Sequence, residues 1–108
     1  MAIAQVTIIP IGTGDTGVSE YVAAIQDVLA AAPEEVKHRM TPMSTLIEGP
    51  LDEVLAVVRR MHEVPFQRGA QRVSTSISID DRRDKPSTME QKMRSVEEKR
   101  RKNDNEGR

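Results

Sequence analysis

A chain of 108 residues with 16 basic and 17 acidic side chains forms one domain of nearly neutral charge, which argues against a nucleic-acid binder that works by neutralising phosphates. No run approaches the roughly 20 apolar residues of a membrane span, and no basic, apolar and small-residue succession directs it to secretion, so a cytoplasmic protein is expected. The absence of cysteine excludes disulfides and thiolate chemistry, and Tyr21 and Phe66, the only aromatics, are too few for a base-stacking platform.

Residues 2–11 read as an aliphatic strand in which Val6 and Ile8 alternate with Gln5 and Thr7, and Pro10 limits ladder pairing near its end. The glycine-rich turn 12–17 leads into a helix over 18–32, where Val18, Tyr21, Val22, Ile25, Val28 and Leu29 recur at helical spacing. Ser19 or Thr16 is its expected cap, and Pro33 ends it. Residues 36–41 and 45–49 read as short strands joined around Pro42, the first less clearly patterned than the second. A second amphipathic helix covers 51–64, with Leu51, Val54, Leu55, Val58 and Met61 on one face, Pro50 at its start and Pro65 past its end.

The strand 72–81, RVSTSISIDD, has two unlike faces. Val73, Thr75, Ile77 and Ile79 want a core against them, whereas Ser74, Ser76 and Ser78 form a row of hydroxyls suited to a partner or a ligand. Residues 80–108 carry 18 charged side chains among 29, so the core must come from the preceding part of the chain. We therefore divide the chain into a body over 1–86 and a helical, charged tail over 87–108. In the tail, Ser87 caps a helix with Glu90 three residues on. Met89, Met93 and Val96 make a stripe that docks on another subunit or on the sheet, and the chain frays from Lys99.

The order β-α-β-β-α-β, with right-handed crossovers, gives an α+β, ferredoxin-like architecture: a four-stranded antiparallel sheet with both helices on one face. Val6, Ile8, Val73, Thr75, Ile77 and Ile79 then face the helices, and Gln5, Thr7, Ser74, Ser76 and Ser78 form a continuous patch on the open side. A body of this size buries a small share of its surface, which favours oligomerisation.

Gly12-Thr13-Gly14-Asp15-Thr16-Gly17 matches G-x-G-x-x-G between a strand and a helix, but no acid ends the following strand and too few units remain for a doubly wound sheet. A flexible turn, or at most a small-anion contact at the helix start, is the better reading. His38 and His62 lack metal-ligand spacing, and His62 reads as a cation near a helix C-terminus. No activated nucleophile is assignable, so no catalytic residue, metal or cofactor is expected. Glu48 lies among apolar neighbours and needs a partner: an arginine such as Arg72, or a ligand amine or ring N–H. Thr45 is either simply a β-former or a further hydroxyl on the open face, Tyr21 belongs to the core with its hydroxyl on a polar group, and the acids and bases of DDRRDK form their own ion-pair network.

The segments IAQVTIIPIGTGDTGVSEYVAAI, TPMSTLIEGPLDEV, RRMHEVPFQRGAQRVSTSISIDDRRD and MEQKMRSVEEK resemble the small thiamine-binding, YkoF-like family to about Lys99. The resemblance implies a ferredoxin-like subunit, pairing of sheets into dimers and tetramers, and cytoplasmic binding of thiamine or its hydroxymethylpyrimidine part. With it, placement makes Thr7, Ser19, Tyr21, Thr45, Glu48, Ser74 and Ser76 the candidate ligand contacts, with Met43 or Tyr21 covering the ring. A regulatory module of the amino-acid-sensing kind and a purely structural oligomer are the alternatives, with an enzyme holding a phosphate on the glycine loop a weaker one.

Overall fold

The computed structural model describes residues 1–14, 17–84 and 88–106. The elements run β1 (Ala2–Ile11), α1 (Ser19–Ala31), β2 (Lys37–Met40), β3 (Thr45–Gly49), α2 (Leu51–Gln67), β4 (Arg72–Asp81) and α3 (Met89–Glu106). The sheet order is β2-β3-β1-β4 with every pairing antiparallel, which is the ferredoxin-like topology read from the chain. An all-antiparallel sheet has no switch point between parallel strands, so the dinucleotide reading of the glycine loop fails on topology. Asp15 and Thr16 of that loop, and the proposed cap Ser87, lie outside the described residues.

Register decides which side chains share a face. Ala2, Ala4 and Val6 of β1 stand opposite Gly49, Ile47 and Thr45 of β3 and opposite Asp81, Ile79 and Ile77 of β4, and all of these point to the helix side. The core on that side joins Ala4, Val6 and Ile47 to Ala24, Ile25 and Leu29 of α1 and to Val54, Val57, Val58, Met61 and Val64 of α2. The buried stripe of α2 therefore includes Val57 and Val64, while Leu55, expected in it, is exposed. Both stripes fit a 3.6-residue period, and contact with the sheet selects the one richer in compact β-branched side chains.

Helix α2 continues through Pro65 to Gln67 rather than stopping before it. Proline costs the turn one hydrogen bond, but its fixed φ is helical and its ring is buried against the core. Gly69, at φ +99°, then ends the helix: its N–H donates to Phe66 O and that of Ala70 to Pro65 O, the Schellman pattern that a left-handed glycine permits. Helix α1 begins after Val18 without a side-chain cap, so Ser19 does not cap it. In α3, Thr88 takes the capping role expected of Ser87: its N–H donates to Gln91 Oε1 and its Oγ1 accepts from Gln91 N, both at 3.1 Å. The helix runs to Glu106, well past Lys99, because strong helix formers continue with Glu97/Arg101 and Glu98/Lys102 at i,i+4 spacing.

The β4 exit forms part of the network expected within DDRRDK: its two arginines pair inside the motif, Asp80 pairs outside it, and Lys85 lies outside the described residues. Arg82 makes two bonds to Asp84, Arg83 bonds Asp81 at 2.8 Å, and Asp80 is held by Lys92 of α3. On the opposite edge, Arg60 Nε of α2 donates to Glu34 Oε1 at 2.6 Å, tying the α1–β2 connection to α2. That bond holds the Glu34 carboxyl below its ordinary value near 4.5, although burial opposes the shift. A depressed folded-state pKa lends stability that is complete above the unfolded value and is lost as pH falls through the folded one. The stability difference between wild type and Glu34→Gln, from denaturant melts, should thus be constant above about pH 6 and shrink steadily toward about pH 3. A difference that stays constant to the acid end would show that the ionised pair contributes nothing.

Candidate functional site

The strands of the sheet are unequal, and the inequality opens a gap. Strand β4 pairs with β1 along all ten positions to Ile11↔Arg72, but β3 pairs with β1 only as far as Val6↔Thr45. Beyond Val6 the β3 side of β1 has no strand partner, and the β2–β3 turn at 41–44 flares beside it. The turn holds its shape by its own bonds: Thr41 N–H donates to Ser44 O at 2.8 Å, and Thr41 Oγ1 accepts from Ser44 N at 3.0 Å and meets Ser44 Oγ at 3.1 Å.

A cleft of about 170 Å³ fills this gap. Its apolar walls include Val6, Ile8, Val18, Val22, Ile25 and Met61, which explains why Val18 and Val22, expected in the α1 core stripe, are only partly covered. Its polar residues on the helix side and in the turn are Thr41, Ser44, Thr45 and Gln26, while Thr7 borders it from the open face. Gln26 Nε2 donates to Thr45 Oγ1 at 2.9 Å, which fixes the amide and leaves its carbonyl oxygen available as an acceptor. Thr7 Oγ1 reaches Met43 O at 3.5 Å, and Met40 and Met43 stand exposed at the rim.

The seven candidate residues therefore do not form one site. Thr7 and Thr45 both border the cleft, but from opposite faces of the sheet: Thr7, opposite Ser76, is on the open face, and Thr45 faces the helix layer rather than the open face, because it is opposite Val6 in register. Ser74 and Ser76 are exposed on the open face as expected, opposite Ile9 and Thr7. Ser19 is exposed at the start of α1, and the half-buried Tyr21 has no hydrogen-bond partner among the described residues. Glu48 lies on the open face at the far end of the sheet, opposite Ile3, whereas Arg72 is opposite Ile11. Eight residues of strand, roughly 26 Å, separate them, so the Glu48–Arg72 pair cannot form. Gln26 was not among the candidates; the signal available was a lone amide one turn beyond Val22 on the apolar side of α1.

Thr75 faces the helices and bonds His62 Nδ1 at 2.6 Å, and the His62 ring also meets Phe66 edge-on at 5.4 Å. His62 is thereby a packing residue between α2 and β4. Among the described residues no group of three His, Asp or Glu side chains is placed to hold a metal ion, and no helix is long and apolar enough to cross a membrane.

Residues 4–97 match the model of a family described as thiamine-binding protein. The UPF0045 protein YqgV of Bacillus subtilis is 55% identical over 98 residues, covering 89% of this chain and 94% of its own. A UPF0045 protein of Methanothermobacter thermautotrophicus is 41% identical over 100 residues, covering 92% and 99%. The crystal structure of the hypothetical protein MJ1052 of Methanocaldococcus jannaschii superimposes with a TM-score of 0.78 at 35% identity, covering 90% of this chain and 96% of that one. A Thermotoga maritima protein assigned provisionally to thiamine biosynthesis or salvage shares the fold with a TM-score of 0.70 at 18% identity, covering 88% and 97%. With nearly its whole folded length matched, this chain belongs to the thiamine-binding protein family.

Proposed function

We propose that the chain binds hydroxymethylpyrimidine, or thiamine through its pyrimidine ring, in the cleft between β1, α1 and the β2–β3 turn, and that it does so as a cytoplasmic, non-enzymatic homo-oligomer. The observation that carries this reading is the anchored Gln26–Thr45 pair inside an apolar cleft rimmed by hydroxyls. An aminopyrimidine edge offers an amine donor beside ring-nitrogen acceptors. The Gln26 carbonyl suits the amine, and the Ser44 hydroxyl suits a ring nitrogen, while Val22, Ile25 and Met61 pack against the ring plane. Drug-sized ligands occupy pockets of about 300–1,000 Å³, so a cleft of about 170 Å³ favours one ring inside and any second ring outside, over Met43. The family supports the ligand class.

Assembly has its own support. Strand β4 is an edge strand of ten residues, and Ile77 and Ile79 on its helix-side face remain 40% and 42% exposed. Ile9 is exposed on the other sheet face beside Ser74, and Met93 and Val96 of α3 are 58% and 52% exposed. The seven residues from Val73 to Ile79 carry no charge, and a long, half-apolar edge of this kind is a template for pairing with another chain. We read a dimer of dimers in which 1–86 is the binding body, 87–108 the assembling tail, and Ser74 and Ser76 lie at the subunit contact close to Thr7.

Calorimetry with the full chain should show heat on titration with hydroxymethylpyrimidine, weakened about 10-fold by Gln26→Leu and by Thr45→Val, each of which leaves a polar group unpaired. No heat from either hydroxymethylpyrimidine or thiamine at millimolar concentration would end this reading. In light scattering the wild type should run as a tetramer and Ile77→Lys/Ile79→Lys as a smaller species; a wild-type monomer at micromolar concentration would refute the assembly.

A further inference from the structure

Glu48 is the buried charge that the cleft does not use. It is 4% exposed, and its carboxylate makes no hydrogen bond or ion pair among the described residues. The Glu48 carboxylate is not sealed from solvent, since among the described residues the one fully enclosed side-chain oxygen without a partner is Glu34 Oε2, so the partner Glu48 lacks must reach it from the space it faces. It lines a cavity of about 570 Å³ between the first turns of α3 and the β2–β3 edge, on the opposite sheet face from Thr45. Lys37 and Arg39 of β2 and Arg94 of α3 line the same cavity, and none of the three is ion-paired among the described residues. Lys37 stands directly opposite Glu48 in register yet does not close on it within 4.0 Å. The remaining acid of the lining, Glu90, is exposed on α3.

Charge of both signs restricts the occupant. A simple cation would satisfy Glu48 but face three basic side chains, and a simple anion would satisfy the bases but leave Glu48 unpaired. A molecule carrying both signs meets both requirements. Guanidinium groups bind carboxylates through paired N–H donors, and a carboxylate takes an ammonium as its natural partner. A volume of about 570 Å³ accommodates such a molecule.

We propose that this cavity binds a small zwitterion of the α-amino-acid class, its ammonium on Glu48 and its carboxylate on Arg94 and Arg39. The site is separate from the pyrimidine cleft and does not depend on it. It also gives α3 a function: Lys92 ties the helix to Asp80 at the end of β4, and the Thr88–Gln91 capping box fixes its first turn over Glu48. A bound zwitterion adds a second bridge between α3 and the sheet.

Thermal-shift and calorimetric titration of the full chain with the twenty L-amino acids tests this, together with the matching amines that lack the carboxylate and acids that lack the ammonium. At least one amino acid should stabilise the wild type, while its amine and acid counterparts do not. Glu48→Gln and Arg94→Gln should each weaken that binding about 10-fold or more, as expected for a hydrogen bond to a charged group. Arg94 is exposed on α3, so Arg94→Gln serves even if Glu48→Gln fails to fold, and it should leave hydroxymethylpyrimidine binding unchanged. Failure of every amino acid to bind the wild type overturns the proposal, whatever the pyrimidine does. So does binding that survives both substitutions, or an oligomer that dissociates on Glu48→Gln in a chain that binds none of the panel, which would assign Glu48 to a second copy.

Discussion

The mismatch in length between β1 and β3 is the constraint on which the site depends. A ten-residue central strand needs a partner on both sides along its whole length, and β3 supplies only five residues before the turn at 41–44 begins. The unpaired stretch of β1 after Val6 would be an unfavourable exposed ledge unless something lay over it. The first half of α1 overhangs it, leaving Val18, Val22 and Gln26 around a cleft rather than closing onto the sheet. The opposite end is built the other way: Ala2 and Gly49 are tightly enclosed, and a Cβ at Gly49 would come within 3.0 Å of Glu35 O. On the helix face, one end of the sheet is therefore a packed anchor and the other a cleft held open by register.

Much of the architecture was legible because it rests on period. Alternation along residues 2–11 and 72–81, and apolar recurrence along 18–32 and 51–64, place four of the seven elements and both sheet faces, and the odd-numbered positions of β4 do point toward the helices. What escaped has physical causes. Thr-Leu-Ile-Glu-Gly contains adjacent apolar residues and no alternation, so a five-residue strand does not disclose its face, and Thr45 was assigned to the wrong one. Leu55 and Val57 compete for the same helix stripe, and only the sheet chooses between them. The separation of Glu48 from Arg72 follows from which ends of the strands meet, and composition says nothing about that.

The two sheet faces carry different chemistry. On the helix side, the cleft presents neutral hydroxyls and a tethered amide, whose hydrogen bonds discriminate by geometry more than by charge. On the open side, Lys37 and Arg39 of β2 and Arg94 of α3 share a cavity with the Glu48 carboxylate, where charge matters more than hydrogen-bond geometry. A chain with 17 acids and 16 bases achieves this through placement alone, and the tail that looks like solvated charge forms one wall. Exposed apolar side chains on β4 and α3 add a third surface, distinct from both.

Amide chemical-shift mapping of the full chain titrated with hydroxymethylpyrimidine tests the placement of the cleft most directly. The largest changes should fall on residues 6–9 of β1, 22–26 of α1 and 41–45 of the turn, with Gln26 and Thr45 foremost. Changes confined to the β4 serines at 74–78, or to the first turns of α3, would contradict it.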